Sequence, residues 1–401
     1  MVRPAPFVFL ICLAETLSMT GTMYFPALLP SFQAEWGLTN TAAGWINGVF
    51  FAGYAITSPI LVGLTDRIDA RRIYLPSALL AALSLFLFGW FAEGTWTAAA
   101  LRLLAGIGLA GTYMPGLRAL SDNVAGPGQS RHIVFYTASY GIGTALSVYF
   151  AGLLLPLTGW RLGAELLALG PIGALLIFTA IVPPRTPLGS AAGLRFSRDD
   201  LKTVLANRPA VGYMLGYGVH CWELFGYRSW LVAFLAYSLS LQPGFTSPLS
   251  PQNIAMLILL IGVPASIVGN EGAMKWGRHR ALAAYMIGSG ILGCVIGFTA
   301  ALDYYLVIAL CLLYGMTNLF DSGALTAGLV AESPERQRGL TLAAYSFTGF
   351  GMAFLAPLAF GAILDAAGRG IAAWGLAFAA LGIVCMSGAL WLRLFRARVT
   401  P

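Results

Sequence analysis

Six ionisable side chains stand where the chain offers them almost no water. Glu15, Arg102, Arg118, Glu223, Arg228 and Asp321 each lie inside a long run of apolar residues. A charge at the centre of a bilayer costs at least ~2.5 kcal/mol on insertion scales, so each one requires a reason. Two chemistries suit the set. A carboxyl group held out of water can take up and release a proton in step with another event, and an arginine can neutralise an anion through paired N–H donors. For each residue taken singly, a structural ion pair between helices stays open beside those readings.

Glu15 and Glu223 are 208 residues apart and occupy matching places in two halves of the chain. His220, three residues before Glu223, and Tyr227, four after it, share the glutamate's helical face. His220 reads either as a proton relay or as a hydrogen-bonded core residue. At a shift of 207, Asp321 falls on Met114, one helical step before Arg118, so Arg118 and Asp321 lie on equivalent faces. They are read as an inner gate, or as an anion-binding arginine beside a proton-carrying aspartate; the alternative pairs Arg118 with Asp122 at i+4. Arg228 is five residues from Glu223, about 140° around a helix, and therefore needs a partner on another element. Asn47, Tyr54, Tyr113, Tyr136, Tyr140 and Asn318 complete the polar inventory; such groups orient small polar solutes, although aromatic residues in membranes also serve as packing.

The elements that must position these groups are membrane spans. Of 401 residues, 58% are apolar and only 10% charged, where a soluble domain carries about a quarter charged. Charge and Pro/Gly punctuation cut the chain into twelve stretches: 6–31, 41–62, 73–92, 97–119, 133–157, 162–182, 210–238, 252–272, 281–300, 304–328, 340–363 and 372–392. Each is long enough for ~30 Å of hydrocarbon, which takes about 20 residues. With the amino terminus in the cytoplasm, eighteen Lys/Arg fall on that side and two, Arg161 and Arg369, on the other, so both termini are read as cytoplasmic. The net charge of +7 is spread over short loops, which excludes a nucleic-acid face. The long connection 183–209 opens with Pro183-Pro184-Arg185-Thr186-Pro187 and continues into a short surface helix from Ser197, with Phe196, Leu201, Val204 and Leu205 toward the bilayer. Five scattered cysteines show no metal-ligand or disulfide spacing, no cleavable signal peptide is read, and no nucleophile–base set or phosphate loop occurs. No cofactor is implied.

Between the second and third spans lies Gly63-Leu-Thr-Asp66-Arg67-Ile-Asp69-Ala-Arg71-Arg72, and Lys275-Trp-Gly-Arg278-His-Arg280 repeats the arrangement 208 residues on. Gly116…Gly126-Pro127…Arg131 likewise aligns with Gly323…Ser333-Pro334…Arg338. The loop resembles the D-R-x-G-R-[RK] signature that follows helix 2 of the major facilitator superfamily of secondary transporters, with Asp69 in place of the glycine. Arg102-x-x-x-Gly106-x-Gly108-x-x-Gly111 is similar to the family's helix 4 signature, in which the arginine is tied to proton transfer; close helix packing is the other reading of the glycines. The helix 5 signature of drug–proton antiporters is absent around Gly141-Ile-Gly143.

The resemblance implies an all-α membrane protein of twelve helices in two six-helix halves related by a pseudo-twofold axis: 1–182, a cytoplasmic linker 183–209, and 210–401. It implies a central cavity lined by helices 1, 4, 7 and 10, the four that carry the six charges. The expected function is secondary active transport of a small polar, anionic solute by alternating access, with proton symport. Substrate contacts are assigned to Arg118, Asn47, Tyr113, Tyr140, Asn318 and Arg228. Proton coupling is assigned to Glu223, Glu15, Asp321, His220 and Arg102, and gating to Asp66, Arg67, Arg71, Arg72 and Arg131. The expected partners are a small molecule, a proton or other coupling ion, and the lipid of a bacterial inner membrane, with the chain a monomer. Multidrug efflux, and a transport-inactive sensor or scaffold, are the alternatives.

Overall fold

Apolar runs closed by polar caps set the helices. The computed structural model describes residues 4–65, 67–124, 128–184, 198–334, 337–368 and 370–396. In chain order the helices are α1 (Pro4–Ser18), α2 (Tyr24–Ala27), α3 (Leu29–Trp36), α4 (Asn40–Leu64), α5 (Ala70–Phe91), α6 (Gly94–Asn123) and α7 (Gln129–Ile181). There follow α8 (Arg198–Ala206), α9 (Arg208–Ser240), α10 (Pro251–Trp276), α11 (Arg278–Ile296), α12 (Tyr304–Thr317), α13 (Ser322–Glu332), α14 (Arg338–Ala367) and α15 (Ile371–Leu394). Side-chain oxygens take first-turn amides at several starts: Thr39 from Ala42 (3.1 Å), Ser250 from Asn253 (3.2 Å), and Asp303 from Tyr305 and Leu306 (3.0 and 3.2 Å). Among the described residues nine helices are long and apolar enough to cross a membrane, and no strand occurs.

Two boundaries differ from the sequence reading. The spans expected at 6–31 and 304–328 are each broken, after Ser18 and after Thr317. In the first break Ser18, Thr20 and Thr22 hydroxyls donate back to the carbonyls of Glu15, Leu17 and Met19, competing with helix continuation. Backbone groups freed inside hydrocarbon must be met by protein, and here the Met23 amide donates to Ser147 Oγ at 3.0 Å. The spans expected at 133–157 and 162–182 form the two arms of α7, divided at Gly159, where the backbone leaves the helical conformation (φ 73°, ψ 170°). Its full length would be about 80 Å, far more than one crossing. Gly163 packs back against Leu154, so the chain reverses at Gly159, where only glycine adopts the left-handed backbone without strain. The surface helix α8 forms, with Leu201 and Leu205 exposed, but Val204 is buried in the core of the C-terminal half rather than turned to lipid; Phe196 lies outside the described residues.

The apolar cores show how the halves meet. At the end bearing the termini there are two separate clusters. One is built from Phe7 to Val182 and the other from Val204 to Leu392. At the far end a single cluster joins both halves, running from Phe25 and Trp160 to Trp230 and Phe378. A smaller cluster at mid-depth, with Phe51 and Tyr54 of the first half and Phe225 and Ala353 of the second, also crosses the seam. The halves therefore share cores at the far end and midway and have separate cores at the end of the termini. Helices α4 and α14 carry much of the seam. Gly44 lies against the backbone of Pro357, Gly48 against Phe354, and Gly361 against Asn40, at distances that leave no room for a Cβ. At the tip, Asp365 accepts from the Asn40 and Thr41 amides (3.1 and 2.8 Å) and from their side chains (2.9 and 2.6 Å). An anion thus caps the positive end of α4 across the seam.

Removing that cap should loosen the closed end. Asp365→Ala is expected to raise hydrogen exchange of the Asn40 and Thr41 amides by about tenfold, since bonds to a charged group contribute roughly 1.5 kcal/mol or more. Exchange in α11, which belongs to one half only, should be unchanged.

Candidate functional site

Helix α9 passes through the middle of the C-terminal half and presents four of the singled-out residues in turn. His220 and Glu223 are fully buried and Arg228 is partly exposed. Glu223 Oε1 accepts from Ser289 Oγ of α11 at 2.9 Å, with Tyr314 and Cys385 beside the carboxyl group. Glu15 is built alike in the other half: Tyr136 donates to its Oε2 at 2.9 Å, and Ser18 Oγ stands at 3.5 Å. In both, the second oxygen (Glu15 Oε1, Glu223 Oε2) meets no donor among the described residues. Each glutamate is thus held by hydrogen-bond donors of its own half.

His220 does not serve Glu223. Its Nδ1 lies 2.7 Å from Asp321 Oδ1 at the α12–α13 break, with both side chains almost wholly buried. Tyr227 donates instead to the Cys311 carbonyl at 2.7 Å. Asn318, in the same break, is buried with neither amide atom bonded among the described residues. Asp321 thus pairs inside its own half, and the expected meeting with Arg118 across the pseudo-twofold is replaced by a local one. Arg118 Nε stands 3.1 and 3.2 Å from the two oxygens of Asp122, and both side chains are well exposed. An i+4 partner within reach of water costs far less than carrying the guanidinium inward.

Arg102 is buried, donates to the Thr22 carbonyl at 3.0 Å, and lies 4.3 Å over the Phe50 ring. It thereby closes the break between α1 and α2. Its glycines do the packing: Gly106 touches Phe50, Gly108 Ala81 and Gly111 Ser77. Asn47 is buried in α4, its amide nitrogen unpartnered among the described residues. Of the hairpin, Asp66 lies outside the described residues. Arg71 donates to the Val182 carbonyl, Arg67 and Arg72 are exposed, and Arg131 lies over Phe135 at 5.8 Å.

What reaches the seam is Arg228. Its electrostatic neighbours are Tyr140 of α7, in the opposite half, and Tyr227 and Cys221 on its own helix. The guanidinium and Leu319 both lie near Gly262 of α10, whose neighbour Val263 touches Gly141 of α7. Behind Tyr140 the rings continue inward. Tyr140 and Tyr113 are 5.1 Å apart, Tyr113 and Tyr136 5.8 Å, and Tyr136 holds Glu15. Toward the open end, Phe225 packs on Phe51 at 4.4 Å and Phe350 at 5.7 Å, and Tyr54 meets Phe350 at 4.0 Å.

The family comparison settles the class of the molecule: residues 11–345 match the Major Facilitator Superfamily. The chain belongs to that superfamily. It is 24% identical over 75% of its length to a Bacillus subtilis protein named as a niacin/nicotinamide transporter, NiaP, and covers 74% of that relative. It is 26% identical over 49% of its length to the gentisate transporter of Corynebacterium glutamicum, of which it spans 46%. Among solved structures, a bacterial homologue of the lysosomal transporter Spinster, inward-facing and unoccupied, aligns with a TM-score of 0.74 at 16% identity, covering 98% of this chain and 95% of that one.

As a facilitator the chain is an integral membrane transporter of a small molecule, not an enzyme. Several residues that shape its interior gave no signal in the sequence. Ser289 is one serine in an apolar span, and the Phe225–Phe51–Phe350 group joins three helices whose contacts no local pattern encodes. The facilitator's two helix-4 arginines should behave oppositely. Arg102→Met orphans the Thr22 carbonyl and should lower stability by about 2 kcal/mol, read as a depressed melting temperature in detergent. Arg118→Ala, losing an exposed pair, should leave the melting temperature nearly unchanged.

Proposed function

We propose that the protein is a secondary active transporter that moves a small anionic solute by alternating access, with a proton as the coupled ion in symport. The observation that carries this reading is the asymmetry along the seam: shared cores at the far end and midway, two separate cores at the end of the termini. That is the arrangement of a rocker opened on one side, with its solute site at the seam. A guanidinium at the seam favours an anion, and relatives named for niacin or nicotinamide and for gentisate support a small ring-bearing solute.

In this reading the chain makes twelve crossings in halves 1–182 and 210–401, works as a monomer in a bacterial inner membrane, and keeps both termini in the cytoplasm, as the eighteen-to-two division of Lys/Arg favours. The open side is then the cytoplasmic one. Protons are carried by the buried acids. Glu223, Glu15 and the His220–Asp321 pair are candidates because each can change charge within a water-poor interior. The hairpin Asp66–Arg72 with Arg131 closes the cytoplasmic side in the opposite state.

Reconstituted vesicles test the coupling. Glu223→Gln keeps shape and hydrogen bonding while removing the titratable proton. It should abolish pH-driven accumulation of the solute and leave downhill counterflow intact. Accumulation unchanged in Glu223→Gln, Glu15→Gln and Asp321→Asn alike would show that these acids are structural.

A further inference from the structure

The acids of the interior already have partners. Glu15 is held by Tyr136, Glu223 by Ser289 and Asp321 by His220, each within its own half. The ion pairs among the described residues are Arg118–Asp122, Lys202–Asp199 and His220–Asp321, and none of the described carboxylates pairs with Arg228. A guanidinium at membrane depth is too costly to leave without a counter-charge or water. Its surroundings show what would supply one.

Arg228 belongs to the C-terminal half, yet the seam puts it against the N-terminal half. Gly141 and Val263 bring α7 and α10 into contact, and the residues beside them are Tyr140 on one helix and Gly262, next to the guanidinium, on the other. The Tyr140 ring is fixed by Tyr113, with centroids 5.1 Å apart. A guanidinium beside Gly262 and a phenol next to Gly141 thus flank one α7–α10 contact, a planar fork from one half and a phenol from the other. A carboxylate, with two oxygens in one plane, accepts from both at once and supplies the counter-charge, whereas an ammonium has no acceptor and a neutral amide brings no charge. Phe225 lies three residues before Arg228 on the same face of α9 and leads into the wall made with Phe51 and Phe350. A body stacked there would be flat and apolar.

We propose that Arg228 and Tyr140 form the subsite for the carboxylate of a small ring-bearing monocarboxylate whose ring lies against Phe225, Phe51 and Phe350, so that the bound anion bridges the two halves. This deepens the reading of the protein as an anion transporter and rests on it. Of the two arginines to which the sequence reading assigned substrate contacts, it keeps Arg228 and leaves out Arg118, which is paired with Asp122 at the exposed end of α6. A ligand held by both halves favours the state in which Arg228 and Tyr140 are closest, which makes solute binding itself a force on the seam.

The experiment is ligand-dependent thermal stabilisation and calorimetric titration of the purified full-length protein with three probes of one shape: benzoate, benzamide and benzylamine. Benzoate should bind, and the other two should bind about tenfold or more weakly. Arg228→Gln should weaken benzoate about thirtyfold or more, Arg228→Lys should recover part of that loss, and Tyr140→Phe should cost about fivefold. Melting of the unliganded variants checks folding, and Tyr140→Phe carries the test alone if Arg228→Gln does not fold. Wild-type binding of benzoate with unaltered affinity in Arg228→Gln and Tyr140→Phe would overturn the subsite and leave the anion reading standing. Preference of the wild type for benzylamine or benzamide, or binding of none of the three, would overturn both.

Discussion

Hydrocarbon accepts and donates no hydrogen bonds, so a polar group that this chain carries into the bilayer costs least where the chain itself meets it. That constraint explains the interior. Tyr136 and Ser289 answer the two glutamates, His220 answers Asp321, and Arg102 answers the carbonyl exposed where the first helix breaks. Each answer comes from the same half. The consequence is two self-sufficient bundles that need no polar bond across the middle of the membrane to stay folded. Arg228 departs from the pattern because its polar neighbour Tyr140 belongs to the other bundle.

Self-sufficient bundles can move against each other only if what joins them is separable. At the far end the joint is apolar and close: glycines of α4 and α14 bring backbones together, and Asp365 fastens the tip at a position where water can replace its bonds. The tight part is dispersion and burial, which come apart along a plane, and the directional part sits at the rim. Midway along the seam, the Phe51–Phe225–Phe350 contacts are rings that can slide or repack without leaving a polar group unsatisfied.

The helices were legible because lipid demands long apolar runs, and the duplication was legible because Glu15 and Glu223, like the two basic hairpins, recur at one shift. Local pairings were also readable: Arg118 with Asp122 needed only i+4 geometry. The helix breaks were not, since Ser18, Thr20 and Thr22 are common inside membrane helices and interrupt one only when neighbouring helices receive the freed backbone, as Ser147 does. Nor were the partners of the buried acids. Ser289 lies 66 residues from Glu223 along the chain and Asp365 lies 325 from Asn40, and such meetings are decided by packing. The 140° offset of Arg228 from Glu223 said that its partner lay elsewhere, but not that it lay in the other half.

The far-end core has a bearing on biosynthesis. Phe25, Phe32 and Trp160 of the first half share one cluster with Trp230, Phe360 and Phe378 of the second, and the glycine face of α4 is shaped to α14, some three hundred residues later. While the ribosome is still making the second half, the first half stands in the membrane with this face covered only by lipid. Gly44 and Gly48 offer acyl chains a shallow groove and little to hold. The nascent half keeps a surface that its own later sequence fits. Insertion of α14 would be the step that turns two waiting bundles into one molecule.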